Sequence, residues 1–214
     1  MPVLDEATGI VAALEALAPL RRAGHEVIVA DGGSGDGTPE LARPLCDRLL
    51  VASRGRAAQM NAGARMATGE VLVFLHADTC CPPGAPEAIS RAMKTNLWGR
   101  FDVEIEGTHP LLKIVAWSMN LRSRLTGIAT GDQAIFVRRN AFVGFPEIPL
   151  MEDVAFSRAM KRRGAAPACL RERARTSGRR WESRGVLRTV LLMWRLRLAY
   201  ALGADPARLA EKYR

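Results

Sequence analysis

Carboxylates stand at the ends of apolar runs in this sequence, where a strand can hold an acid rigidly at the edge of solvent. Asp31 closes the run Glu-Val-Ile-Val-Ala-Asp and opens Asp31-Gly32-Gly33-Ser34-Gly35-Asp36-Gly37-Thr38. The glycines let backbone N–H groups approach a ligand, and Asp36 or Thr38 can cap a following helix. Asp31 can accept hydrogen bonds from a uracil or ribose edge. The glycines fall two apart, not in the G-x-G-x-x-G spacing of a dinucleotide site. His76-Ala77-Asp78 ends the run Val-Leu-Val-Phe-Leu. An acid emerging there is placed to hold Mg²⁺ or Mn²⁺ across a diphosphate, with the cation as Lewis acid on the leaving group. Glu152-Asp153 follows Pro146 and Pro149. One of this pair can take the proton from an acceptor hydroxyl, the base that direct displacement at a sugar carbon requires.

Three further segments carry polar groups of the right kind. Arg54 to Gly63, which includes Arg56 and Asn61, puts arginines at a helix start, where guanidinium and dipole both favour phosphate. Gly131-Asp132-Gln133 offers a polar turn for an acceptor. Arg179-Arg180-Trp181 can clamp phosphate and stack on a sugar ring. Each has a plainer reading in isolation: a flexible glycine turn, a capping acid pair, a solvated basic surface.

The elements that must position these groups alternate between short apolar strands and helices. Strands are expected at Val3 to Glu6, His25 to Asp31, Arg48 to Ala52 and Val71 to Leu75. Helices are expected between them: Ile10 to Leu20 closed by Gly24, Thr38 to Leu45, and Ala57 to Ala67 stopped by Gly69. This alternation is the signature of a doubly wound sheet, in which ligands bind beyond the carboxyl ends of the strands. The second half is less regular. It reads as an edge strand over Arg100 to Glu106, an amphipathic segment Leu111 to Leu125 and a strand Ala134 to Arg138. A helix Val154 to Arg163 capped by Gly164 and a last strand Ala166 to Arg171 follow, and the final third is arginine-rich with helical period.

The chain has 214 residues, 48% of them hydrophobic, enough for one domain with a sizeable core. Its net charge of +9 suits nucleic acid, an anionic membrane surface or small anionic substrates. Aromatics, at 6%, are not interleaved with the basic residues as base stacking would require, so nucleic acid falls behind. Cys46, Cys80, Cys81 and Cys169 show neither zinc spacing nor a disulfide framework, and Met1 to Asp5 has no leader-like character. The expected location is the cytoplasm, with association at the cytoplasmic face of a membrane left open. Val186 to Leu202 is broken by Arg188, Arg195 and Arg197 and is too charged to span a bilayer.

In order, the segments DGGSGDGT (31–38), RGRAAQMNAGARMATGE (54–70), FLHADT (74–79), TGDQAIFVRR (130–139), FPEIPLMEDVAFSRAMKRRG (145–164) and RRW (179–181) resemble family 2 glycosyltransferases of the GT-A fold. The resemblance is closest to a small bacterial subgroup associated with arsenosugar biosynthesis. It implies an α/β, Rossmann-like fold with a mixed, mainly parallel sheet flanked by helices. It also implies a UDP- or GDP-sugar donor, a divalent cation (Mg or Mn) and a reaction that inverts the anomeric carbon. Asp31, with Gly32, Gly33, Ser34 and Asp36, matches the nucleotide-binding loop, joined on the donor side by Arg56, Asn61, His76 and Ala77. Asp78 matches the last carboxylate of the D-x-D metal motif, and His76 replaces its first acid. Asp153, beside Glu152, matches the catalytic base. Asp132 and Gln133 fall on the acceptor and diphosphate side, as do Arg180 and Trp181, the surviving end of a Q-x-x-R-W-like element. Relatives have several more strand residues before Pro2-Val3-Leu4-Asp5-Glu6, so a truncated first strand is expected.

These implications divide the single domain into a nucleotide-sugar half (1–100), an acceptor and catalytic half (101–184) and a helical tail (185–214). Two other readings stay open: a nucleotidyltransferase of similar fold, and a non-catalytic protein bound to a membrane surface through amphipathic stretches near 109–125 and 185–202. A homodimer is also open, and the acceptor is not specified.

Overall fold

The computed structural model describes residues 1–213. Along the chain, β1 (Pro2–Val3) leads to α1 (Ile10–Glu15), α2 (Ala18–Arg22), β2 (Ile28–Asp31), α3 (Thr38–Ala42), β3 (Arg48–Val51), α4 (Arg56–Met66) and β4 (Val71–Phe74). Then come β5 (Thr79–Cys80), α5 (Ala85–Met93), β6 (Trp98–Glu106), α6 (Leu111–Thr126), β7 (Ile135–Arg138) and α7 (Glu152–Arg162). The chain finishes with β8 (Ala168–Ser177), α8 (Arg179–Arg184), α9 (Val186–Ala201) and α10 (Pro206–Tyr213). The expected helix from Ile10 to Leu20 is two helices. Pro19 has no N–H to continue α1, and the chain restarts around it. The pair β5 and α5, between Asp78 and β6, was not anticipated from the sequence.

The α/β fold is mixed, as expected, but it is not mainly parallel, because among the described residues three strand pairs are parallel and three antiparallel. Strands β1, β2 and β3 form a parallel sheet, and the other five run in the order β4-β7-β6-β8-β5. In this second sheet only the β6–β8 pair is parallel. The first strand is Pro2–Val3, paired through Val3 to Asp31. Contrary to expectation it does not extend to Glu6, because Asp5 takes a φ of 53° that leaves the extended conformation. Gln59 of α4 stitches this end by donating from Nε2 to the carbonyls of Val3 and Ala30. Helices cover both faces. Ile10 and Leu14 of α1 and Ala88 and Ile89 of α5 pack with Val29, Phe101 and Phe136, a core that joins the two sheets. On the opposite side Ala57 and Met60 of α4 and Phe156 and Met160 of α7 pack with Phe74, Trp98 and Val137.

Residues 100–106 do not form an edge strand. They belong to β6, which lies between β7 and β8. The alternation that suggested an edge is real only from Asp102 onward, where Val103 and Ile105 face α6 and Glu104 and Glu106 point to solvent. There Glu106 pairs with Arg175 of β8 at 3.4 Å. Its first half, Trp98 to Phe101, is fully buried, and a register shift separates Phe101 from Asp102. Asn120 of α6 bridges that irregularity, accepting from Val103 N–H at 2.8 Å and donating to Val103 C=O at 2.9 Å. The last strand also runs further than expected, to Ser177, because β6 supplies a partner along its length.

Arg100 has no exposure, and its charge is answered by Asp102, which also pairs with Arg124 at 2.6 Å. Removing one partner of a buried pair strands the other charge. Asp102→Ala is therefore expected to lower the free energy of unfolding by about 3–5 kcal/mol in urea titration.

Candidate active site

The glycine-rich loop is held from two sides. Both oxygens of Asp31 face the loop: one accepts from Gly33 N–H at 2.8 Å and Ser34 N–H at 3.0 Å, the other from the Ser34 hydroxyl. Asp31 is buried, so in this structure its first task is to set the loop's shape. Asp36 receives N–H bonds from Thr38 and Ala7, and the Thr38 hydroxyl beside it holds its carboxyl below the usual range. Ser34 Oγ accepts from Asp5 N–H at 2.9 Å, and Thr38 Oγ1 from Glu6 N–H at 2.8 Å. The segment Asp5–Ala7 is thus laced to residues 34–38. A Cβ on Gly32 would lie 2.9 Å from Gln59 Nε2, so close packing against α4 demands glycine there.

Asp78 leaves the end of the β4 segment exposed, with only the Thr79 hydroxyl against it at 3.3 Å. Glu6 lies in its field. Burial raises the Glu6 carboxyl and Asp78 raises it further, while Arg179 and Arg180 oppose them. Arg180 and Arg56 in turn act on Asp132. Burial pushes that carboxyl up, but His76 and the two arginines outweigh it and hold Asp132 low. His76 Nδ1 stands 3.8 Å from Asp132 Oδ1. Arg56 reaches Glu152 Oε1 at 3.4 Å. Burial and the adjacent Asp153 raise the Glu152 carboxyl, with Arg56 only partly compensating. Asp153 accepts from Gly131 N–H at 3.0 Å. Electrostatic coupling therefore links Asp78 to Asp153 through Glu6, Arg180, Asp132 and Arg56, and direct contacts tie His76 to Asp132, Arg56 to Glu152 and Gly131 to Asp153. Two surface cavities, of about 380 and 580 Å³, are lined by none of these acids.

The turn that carries Asp132 is built for close approach. Thr130 and Gln133 form a reciprocal cap around residues 131–133. A Cβ on Gly131 would fall 2.2 Å from His76 Cε1, so only glycine lets imidazole, turn and Asp153 share that space. Non-glycine residues with positive φ flank the same segments: Asp5 at 53°, Ala134 at 45° and Met151 at 70°. Such conformations cost on the order of 1–3 kcal/mol each and persist where surrounding contacts impose them. Here each adjoins a segment bearing a site acid.

Several expected site residues are structural in this arrangement. Gln133 is fully buried, and its amide is used on Thr130 and Asn120, so it shapes the turn instead of reaching an acceptor. Asn61 closes a two-way bond with Phe145, donating to its carbonyl and accepting from its N–H, both at 2.8 Å. It ties α4 to the segment that precedes α7. Trp181 packs half-buried with Leu111, Val115 and Val186. Arg180 is exposed, with the ring centroid of Tyr213 of α10 lying 5.1 Å from its guanidinium carbon. Sequence reading passed over Glu6, Arg122 and Arg197. Burial lowers Arg122 to about 10, its Nη2 has no partner, and Asp153 lies in its field. Burial likewise lowers Arg197, against the opposing pull of Asp153 and Asp132. An arginine inside an apolar helical run, as at 122 and 197, was the available signal.

Among the described residues no three His, Cys, Asp or Glu side chains form a ready cation cage. A site with one exposed carboxylate, Asp78, beside an acid already under repulsion, Glu6, still fits a cation that brings its own phosphate ligands. Mg²⁺ typically binds through one or two carboxylates plus substrate phosphates.

The family model for glycosyl transferase family 2 matches residues 1–143 of the 214. Among solved structures the chain is similar to glucosyl-3-phosphoglycerate synthase from Mycobacterium tuberculosis in complex with Mn²⁺ and UDP-glucose. The TM-score there is 0.60 at 17% identity, over 80% of this chain and 67% of that one. It is similar to TarS residues 1–349 from S. aureus with UDP-GlcNAc, with TM-score 0.63 and 18% identity over 82% of this chain and 56% of that one. The mannosyltransferase PcManGT from Pyrobaculum calidifontis, in complex with GDP-Man and Mn²⁺, gives 0.60 at 23% identity over 92% of this chain and 59% of that one. The chain thus spans between 56% and 67% of these three structures. No curated protein matches the sequence.

Gly131→Ala should displace His76 and remove the contact that lowers Asp132. The Asp132 carboxyl is expected to titrate at higher pH than in the unmodified protein, read by carboxyl ¹³C NMR. An unchanged titration would mean that His76 does not control it.

Proposed function

Since this chain belongs to glycosyl transferase family 2, we propose that it transfers a sugar from a nucleoside diphosphate to an acceptor hydroxyl, inverting the anomeric carbon in one displacement. The observation that carries this reading is the electrostatically coupled chain of groups from Asp78 to Asp153, anchored by direct contacts of His76 with Asp132, Arg56 with Glu152 and Gly131 with Asp153. Its two ends suit the two demands of the reaction, which are charge on the departing diphosphate and a proton to remove from the alcohol.

The loop 31–38 and the Asp5–Ala7 segment tied to it form the nucleoside side. Asp78 would hold a divalent cation, Mg²⁺ or Mn²⁺. When bound, the cation supplies Lewis-acid stabilisation of the leaving diphosphate. Arg180 and Arg56, both in the field of Asp132, add positive charge where phosphate oxygens gather. Asp153 acts as the base. Gly131 N–H fixes one of its oxygens and Val154 N–H, at 2.7 Å, the other. These bonds fix the orientation of the carboxylate that is to accept the acceptor's proton. Glu152 is buried and its Oε1 lies 3.4 Å from Arg56, so its part is to orient that guanidinium. Solved structures similar to this chain contain UDP-glucose, UDP-GlcNAc or GDP-Man, and two of them Mn²⁺, which supports a nucleotide-sugar donor. A place in the arsenosugar-associated subgroup rests on the sequence resemblance alone.

Loss of a positioned general base costs about 10²–10⁴-fold in rate. Asp153→Asn is therefore expected to lower release of nucleoside diphosphate from a UDP- or GDP-sugar by that amount. Calorimetric binding of Mn²⁺ with UDP or GDP should be unchanged. Asp78→Ala should do the reverse at the binding step and weaken Mn²⁺-dependent nucleotide binding. Pyrophosphate release from a nucleoside triphosphate would instead support a nucleotidyltransferase.

A further inference from the structure

Helix α9 buries Val186, Thr189 and Leu196 on one side and leaves Leu187, Leu191, Trp194 and Leu198 on the other, with Leu202 just past its end. These five residues are 60–80% exposed and recur every three or four positions, the spacing of one continuous helical stripe. Helix α6 repeats the arrangement. It buries Leu112, Val115 and Ala116 and exposes Ile114, Trp117, Leu121 and Leu125. The two helices are neighbours, because Val115 and Ala116 pack in one cluster with Val186 and Val190. Neither stripe is a core face of this fold, since both helices already turn their other side to the protein. Single exposed leucines are ordinary, but two stripes with two exposed tryptophans on adjacent helices are not.

The charges beside the stripes have one sign. Neither helix contains an acidic residue. Lys113, Arg188 and Arg195 stand exposed, and none of the three takes part in an ion pair among the described residues. A second copy brought to this face would set cations against cations. An anionic lipid surface meets both features, because acyl chains take the leucines, the interface suits tryptophan and headgroups pair with arginine and lysine. Among the described residues no helix is long and apolar enough to cross a membrane, so attachment would lie in the interface plane.

We propose that the exposed faces of α6 and α9 form a docking surface for an anionic lipid bilayer. Lipid binding by this surface does not depend on the proposed transferase activity. The same helices do, however, carry Arg122 and Arg197 toward Asp153 from within.

The test is co-sedimentation of the full chain with vesicles of phosphatidylcholine alone or with about one quarter phosphatidylglycerol, at about 50 mM and about 500 mM salt. The unmodified protein should sediment with the anionic vesicles, less so at high salt, and its tryptophan emission should shift to the blue. The variant Leu191→Ser/Trp194→Ser, with both changes at exposed positions, should bind at least about tenfold more weakly. Arg188→Gln/Arg195→Gln should lose most of the salt-dependent part. Both variants should keep Mn²⁺-dependent binding of UDP or GDP at the unmodified level, which separates this inference from the proposed function. Failure of the unmodified protein to bind anionic vesicles would overturn the proposal, as would undiminished binding by the serine variant. So would a lipid-free dimer that the serine variant abolishes, because the stripes would then be a contact between copies.

Discussion

Glu6, Asp78, Asp132, Glu152 and Asp153 lie close enough to perturb one another or to share an arginine, and like charges in such company favour protonation or separation. The fold keeps them together by interleaving cations. Arg180 acts on both Glu6 and Asp132, Arg56 acts on Asp132 and contacts Glu152, and Arg122 and Arg197 feel the charge of Asp153. The balance is uneven. Asp132 ends with a lowered proton affinity, whereas Glu6 and Glu152 end with raised ones. Neighbouring acids in different protonation tendencies can take different parts in one reaction. The imbalance at Glu6 and Asp78 also leaves room for the charge of a cation.

Backbone geometry does the rest. The turn 130–133 reaches Asp153 through one N–H, contacts His76 through the missing Cβ of Gly131, and connects through Gln133 and Asn120 to the irregular point of β6. A register shift in a central strand is thereby coupled to the placement of the Asp153 carboxylate. On the other side, Leu196 of α9 and Leu209 of α10 pack under Met151 and Val154, bracing the helix start that carries Glu152 and Asp153. The C-terminal helices are part of the site's support although they contribute few of its acids.

Much of this was legible in the sequence, and for physical reasons. Asp31, Asp78 and Asp153 stand out in the sequence because a carboxylate that ends a buried run or opens a helix has a short list of uses. Strands β2, β3 and β4 were legible because each is a largely apolar run closed by turn residues. The central place of β6 was hidden, since its alternating second half mimics an edge while its pairing partners lie tens of residues away. The structural duties of Gln133 and Asn61 were also hidden. A buried amide bound to backbone and a ligand-binding amide look identical in one dimension. Glu6 was passed over because it gains meaning only when the 34–38 loop folds back on it.

The central claim is that acids from separate segments meet one donor. The most direct measurement is a crystal structure of the full chain with Mn²⁺ and UDP or GDP. The account predicts the cation against Asp78, the diphosphate between it and the Arg56–Arg180 side of Asp132, and Asp153 facing the space beyond the terminal phosphate. A cation bound away from Asp78, or a diphosphate that leaves Asp153 on a remote surface, would contradict it.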